Sequence, residues 1–229
     1  MKSLLIFDMD GTLIDSMPQH AEAFSGILAA EYAIPVDFSK EVYMKTAGKP
    51  LDEQFAFAIE LKTGVHVQST DALLDQFWSL IQESDPVLFP DVGHVLHALH
   101  QAGFTMVVIS GCSPEVVRAK IRRAGIESLF LFTLGTDRSI PGMVKGQGHL
   151  EIIRNKLQVT PACFQADSVL IGDAPHDMMI ARNANITAVA RVSRGNADDL
   201  RAAGADFLIN DLSVLVPILR AIGSIQIGC

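Results

Sequence analysis

Three acids crowd the end of the chain's first apolar run: Asp8, Asp10 and Asp15 in FDMDGTLID, residues 7–15. Like charges this close repel, and an unpaired carboxylate is costly to bury. Either the acids belong to a solvated turn, for which Asp10-Gly11 is a good dipeptide, or a cation sits among them. Two further acids, Asp173 and Asp177, follow the apolar run SVLIG, and Ser110 follows FTMVVI. Helix capping could occupy Asp173 and Asp177, although one acid suffices for a macrodipole. Ser110 is not needed as a cap, because Ser113-Pro114-Glu115 already supplies a capping serine, a first-turn proline and a first-turn acid.

Those residues need elements to position them. From residue 86 onward, β-rich runs (104–110, 128–134, 168–173, 186–192 and 206–209) alternate with helical patterns near 91–102, 114–124, 147–157, 176–184, 196–203 and 211–221. The strands are apolar on both faces, which predicts a parallel sheet covered by helices on each side. SLLIF at 3–7 belongs to the same sheet by composition. The fold class expected is therefore α/β, a Rossmann-like doubly wound parallel sheet.

Residues 16–84 hold no comparable strand. Phe24, Ile27, Leu28 and Tyr32 share one helical face, Leu51, Phe55, Ala58 and Ile59 a second, and Leu73, Leu74, Phe77 and Ile81 a third. Ser69 or Thr70 can cap the last helix, and Trp78 reads as a core residue of the segment. The expected division is an α/β core of 1–15 and 85–229, with 16–84 as an inserted all-helical domain.

Ligands of open parallel sheets bind beyond the carboxyl ends of the strands. Three strand ends meeting there would gather Asp8, Asp10, Ser110, Asp173 and Asp177 into one crevice. A hard divalent cation suits that set, and Mg²⁺ typically takes one or two carboxylates, waters and a phosphate oxygen.

Composition narrows the partners. The formal net charge is −8 over 229 residues, and lysine and arginine form no cluster, which argues against nucleic acid or an anionic membrane. No run is long enough for a membrane helix, and Asp8 interrupts any signal-like start. Cys112, Cys163 and Cys229 are odd in number and scattered, without metal-site or disulfide spacing. The expectation is a soluble cytoplasmic protein. His94, His97 and His100 drift around a helix and read as a solvated face.

FDMDGTLIDS at 7–16, VVISG at 107–111, the lysine of GMVKGQGHL at 142–150 and IGDAPHDMMIARNA at 171–184 together resemble the haloacid dehalogenase superfamily. The likeness is to its phosphoglycolate phosphatase-like and β-phosphoglucomutase-like branch. Gly146 stands where that branch often has proline, and Ala174 where it often has threonine, so loop shape differs while every reacting group is kept.

The resemblance implies a Mg²⁺-dependent hydrolase of small phosphomonoesters such as a sugar phosphate, polyol phosphate, phosphoglycolate or nucleotide. Asp8 would be the nucleophile forming an aspartyl-phosphate, and Asp10 the general acid and base. Asp8, the Asp10 carbonyl and Asp173 would hold the metal, with Asp177 behind them. Ser110, the amides of Gly111 and Cys112, and Lys145 would hold the phosphoryl group. Segment 16–84 matches a helical cap, whose loop TAGKPLDE at 46–53 offers Lys49 to the substrate. A β-phosphoglucomutase-like phosphomutase and, more distantly, a phospho-acceptor switch resembling receiver domains use similar residues. Specificity and oligomeric state stay open at this point.

Overall fold

Successive side chains of the first strand, β1 (Leu4–Asp8), point to opposite faces, and both faces are buried. Leu5 and Phe7 enter one apolar cluster with Val92, Leu96 and Val108, whereas Leu4 and Ile6 enter another with Val107, Leu170 and Met178. A strand between two cores cannot alternate apolar with polar residues, which is why these runs read as unbroken hydrophobic segments. The protein, represented by a computed structural model, is described at residues 3–46, 50–137, 139–193 and 197–223.

The remaining strands are β2 (Thr105–Ile109), β3 (Phe132–Leu134), β4 (Ser168–Gly172), β5 (Thr187–Arg191) and β6 (Phe207–Ile209). All pair in parallel, in the order β3-β2-β1-β4-β5-β6. The chain fills one side of β1 and then crosses to the other, so the order reverses between β1 and β4. Such a switch point opens a crevice at the carboxyl edge.

The chain divides into two units, Met1–Asp15 with Pro86–Cys229, and Ser16–Asp85. Asp85, whose carbonyl accepts a 2.5 Å hydrogen bond from Gln19 Nε2, falls with the helical unit. That unit contains α1 (Met17–Tyr32), α2 (Val36–Lys45), α3 (Leu51–Thr63) and α4 (Asp71–Glu83). Phe24 stacks on Phe55 at 4.5 Å between centroids, and Phe77 meets Phe55 edge-on at 6.3 Å. Trp78 is a correction to the sequence reading. It is 42% exposed and touches Phe77 by its edge, because the buried stripe of α4 runs through Leu73, Phe77 and Ile81 and leaves position 78 outside.

The core unit adds α5 (Val92–Gln101), α6 (Pro114–Arg123), α7 (Gln147–Leu157), α8 (Pro161–Asp167), α9 (Pro175–Asn183), α10 (Ala197–Ala203) and α11 (Leu215–Gly223). Helices α2 and α8 are additions to the elements expected from the sequence. The run 128–134 is only partly strand: Glu127–Leu129 forms a 3-10 turn and β3 begins at Phe132. Among the described residues no helix is long and apolar enough to cross a membrane.

Candidate active site

Asp8 closes β1 opposite Ile109 of β2, one step beyond the Phe7–Ile171 pair with β4. Ser110 and Asp173 follow within two residues of those partners, so the register alone brings three polar groups to one edge. Asp8 is buried, and its Oδ1 lies 2.6 Å from Lys145 Nζ. The same ammonium stands 2.6 Å from Oδ1 of Asp177, which is fully buried. Asp8, Asp173 and Asp177 each bring a carboxylate oxygen within 4.8 Å of the others. The Thr12 hydroxyl lies between Asp8 Oδ2 (3.4 Å) and Asp173 Oδ1 (3.3 Å), with one proton to share.

Close backbone approach makes the cluster possible. A Cβ on Gly172 would stand 2.5 Å from the Asp177 side chain, so a larger residue there would push that acid away. Asp177 Oδ2 accepts from the Ala174 amide at 3.2 Å, fixing the carboxylate at the start of α9. Lys145 is positioned from the other side. The Thr136 hydroxyl accepts from the Lys145 amide (3.0 Å) and donates to the Ser110 carbonyl (3.3 Å), while the Thr136 amide donates to the Cys112 carbonyl (2.7 Å). Thr136 thus ties the lysine loop to the loop after β2. Buried His149 donates from Nε2 to the Gly135 carbonyl at 3.0 Å, holding the first turn of α7 to the start of the lysine loop after β3.

Ser110 accepts the Cys112 amide at Oγ (3.1 Å), which leaves its hydroxyl proton to donate outward. Ser113 caps α6 through the Val116 amide, as expected. Asp10 is held apart from the other acids by its own partner. Its Oδ1 pairs with Lys120 Nζ at 3.1 Å, and its Oδ2 lies 3.6 Å from Cys112 Sγ.

The electrostatics favour a cation among these acids. Three carboxylates facing one ammonium leave two negative charges when all are ionised. Burial pushes the Asp8 carboxyl well above its ordinary range; Lys145 pulls it down, while Asp177 and Asp173 raise it further. Burial and Asp177 push Asp173 up to about 7. Lys145 would lose basicity through burial, but Asp8 and Asp177 reverse that and raise it. Burial and Asp10 push the Cys112 thiol up to about 11, so it is a protonated packing group. A hard divalent ion fits this all-oxygen donor set and would offset both residual charges.

The model of the haloacid dehalogenase-like hydrolase family matches residues 5–191. The chain belongs to the haloacid dehalogenase-like hydrolases. It is 26% identical over 226 residues to the phosphoglycolate phosphatase of Vibrio vulnificus strain YJ016, covering 94% of this chain and 95% of that protein. It is 28% identical over 225 residues to the phosphoglycolate phosphatase of Psychrobacter arcticus, covering 95% and 96%. A haloacid dehalogenase-like protein of Agrobacterium tumefaciens shares the fold, with a TM-score of 0.78 at 22% identity over 97% of this chain and 100% of that one.

Within this hydrolase, the residues singled out by spacing fall into two groups. Asp8, Asp173, Asp177 and Lys145 form one connected cluster, and Asp10, Ser110 and Gly111 line the adjoining turns. Lys49 lies outside the described residues. His94, His97, His100 and His176 are exposed on helices. Sequence reading missed Thr12, Thr136 and Lys120. Lys120 carried a usable signal: it sits on the inner stripe of α6 between Val117 and Ile121, where a lysine is out of place unless paired.

Proposed function

We propose that this hydrolase is a Mg²⁺-dependent phosphatase of small phosphomonoesters that works through an aspartyl-phosphate on Asp8. The observation that carries the reading is the buried Asp8–Lys145–Asp177 bridge beside Asp173 at the mouth of the β1/β4 switch point. Asp8, Asp173 and the Asp10 carbonyl would hold the ion, with Asp177 supporting Lys145 from behind. The ion would supply charge neutralisation for a phosphoryl oxygen and for the acids around it.

Asp8 must be ionised to attack phosphorus, and Lys145 favours that form. As the bond from phosphorus to the ester oxygen breaks, Asp10 gives the departing alkoxide a proton. Water then attacks the phosphorus, Asp10 takes the water's proton, and the electron pair of the broken bond returns to Asp8. The Ser110 hydroxyl, the Gly111 amide and Lys145 would hold the remaining oxygens; in a loose transition state such positioned charge supplies most of the acceleration. The helical unit 16–85 would act as the cap that excludes water and reads the substrate.

Phosphoglycolate heads the substrate candidates, because relatives at 26% and 28% identity carry that activity in their names. A panel of phosphorylated metabolites with Mg²⁺, read as released phosphate, tests the reading. Release from at least one small ester, abolished by Asp8→Asn, supports it; turnover retained by Asp8→Asn defeats the covalent route. A hexose 1-phosphate yielding its 6-phosphate isomer instead of phosphate would transfer the assignment to a mutase.

A further inference from the structure

Lys120 has no place in the reaction as described, yet it is among the most deeply buried charges of the core. Its side chain is 4% exposed, and it reaches from α6 to Oδ1 of Asp10 at 3.1 Å. A buried ammonium without a counter-charge is strongly disfavoured, so Lys120 and Asp10 constrain each other. Lys120 shares the inner stripe of α6 with Val117 and Ile121, both fully buried, so its cation is kept from solvent. The two oxygens of Asp10 are thereby made unequal. Oδ1 is held by the charged Lys120, while Oδ2 accepts only the weak donor Cys112 Sγ at 3.6 Å, in the loop that begins at Ser110.

We propose that Lys120 is a positioning residue: it pins Oδ1 of Asp10 from beneath, so that Oδ2, turned towards the 110–112 loop, is the oxygen that passes the proton. The inference rests on the acid–base role given to Asp10 above. In the first half-reaction Oδ2 carries the proton that leaves with the alkoxide as the ester P–O bond breaks. In the second, Oδ2 takes the proton of the attacking water as the bond from phosphorus to Asp8 breaks and its electrons return to the Asp8 carboxylate. A carboxylate released from Lys120 can rotate, and both transfers then wait on an unfavourable orientation.

The two half-reactions separate this role from a structural one. 4-Nitrophenolate leaves without a proton, so phosphorylation of Asp8 by 4-nitrophenyl phosphate does not need Asp10, whereas dephosphorylation does. An alkyl phosphate needs Asp10 in both. Lys120→Met is expected to keep a rapid 4-nitrophenol burst within about threefold of wild type while steady-state kcat falls on the order of 10–100-fold, with KM falling alongside. Its kcat/KM for glycerol phosphate should drop by a comparable factor, while kcat/KM for the aryl ester is held. Lys120→Arg, which keeps the cation, should recover much of the loss, and Lys120→Gln carries the same readout as the methionine variant should that one fail to fold. Burst and steady state falling together, or aryl and alkyl esters losing equally, overturns the positioning role; so does a Lys120→Met enzyme identical to wild type. A wild-type protein that never carries phosphate on Asp8 overturns the reading beneath it instead.

Discussion

A Cβ placed on Gly11 would stand 2.0 Å from Asp173 Oδ2, and Gly11 adopts φ +84°. The backbone turn after β1 is therefore in direct contact with the acid that follows β4, and only a residue without a side chain permits it. Gly11→Ala combines a left-handed backbone with a clash against the acidic cluster. It should destabilise the fold by about 1–3 kcal/mol and weaken Mg²⁺ binding, measured by thermal unfolding with and without the ion. An alanine variant with unchanged unfolding and unchanged Mg²⁺ response would contradict the close approach.

Lys145 bridges two acids that repel each other, so removing it has two consequences. Lys145→Met should reduce turnover on the order of 10²–10³-fold, as loss of a preorganised charge does. It should also favour protonation of Asp8, so that residual activity needs higher pH than wild type. The pH–rate profile of the variant checks this; an acid limb that does not move upward would show that Lys145 does not help to ionise Asp8.

In the proposed site, Asp173 would link metal binding to a proton. Its folded pKa is about 7, above the unfolded value near 4. Without metal, its contribution to stability is present below the unfolded value and is lost as pH rises through about 7. The metal-free protein should therefore lose unfolding temperature across that window, and Asp173→Asn should flatten the slope. Because the ion needs the carboxylate, binding near neutral pH should release protons. Calorimetry in buffers of different ionisation enthalpy measures that release, and none at pH 6 to 7 would contradict it.

Most of this arrangement was legible in the sequence because it is local. Strand ends carry their acids within a few residues, and the register of β1 with β2 and β4 does the rest. What was not legible is long-range. Thr136 was an unremarkable polar residue until its hydroxyl was found joining the Lys145 and Ser110 loops. Trp78 looked like core because tryptophan is usually buried, yet the helix phase set by Phe77 and Ile81 excludes it. Arg191 and Asp91 are a hundred residues apart in sequence and gave no hint that they pair.

That pair supports the site from behind. Arg191 Nη2 meets Asp91 Oδ1 at 2.7 Å, Nη1 meets Oδ2 at 2.9 Å, and Nη1 also donates to the Thr12 carbonyl at 3.2 Å. Burial works against the charge on Asp91, but Arg191 and the Leu212 amide win and hold its pKa below the ordinary value. Its contribution is thus present above the unfolded pKa and is lost as pH falls through the folded one. Asp91→Ala leaves a buried guanidinium unpaired and should cost about 3–5 kcal/mol. Chemical denaturation measures the loss, and a change under about 1 kcal/mol would show that the pair is not desolvated.

The proposed reaction requires Asp8 itself to carry the phosphoryl group. Acid-quenched, proteolysed samples taken within the first turnover of 4-nitrophenyl phosphate with Mg²⁺ test it by mass spectrometry. A phosphoryl adduct on the peptide containing Asp8, absent when the ester is omitted and absent in Asp8→Asn, is the expected result. Turnover with no adduct on that peptide at any quench time, or an adduct mapped to another residue, would contradict it.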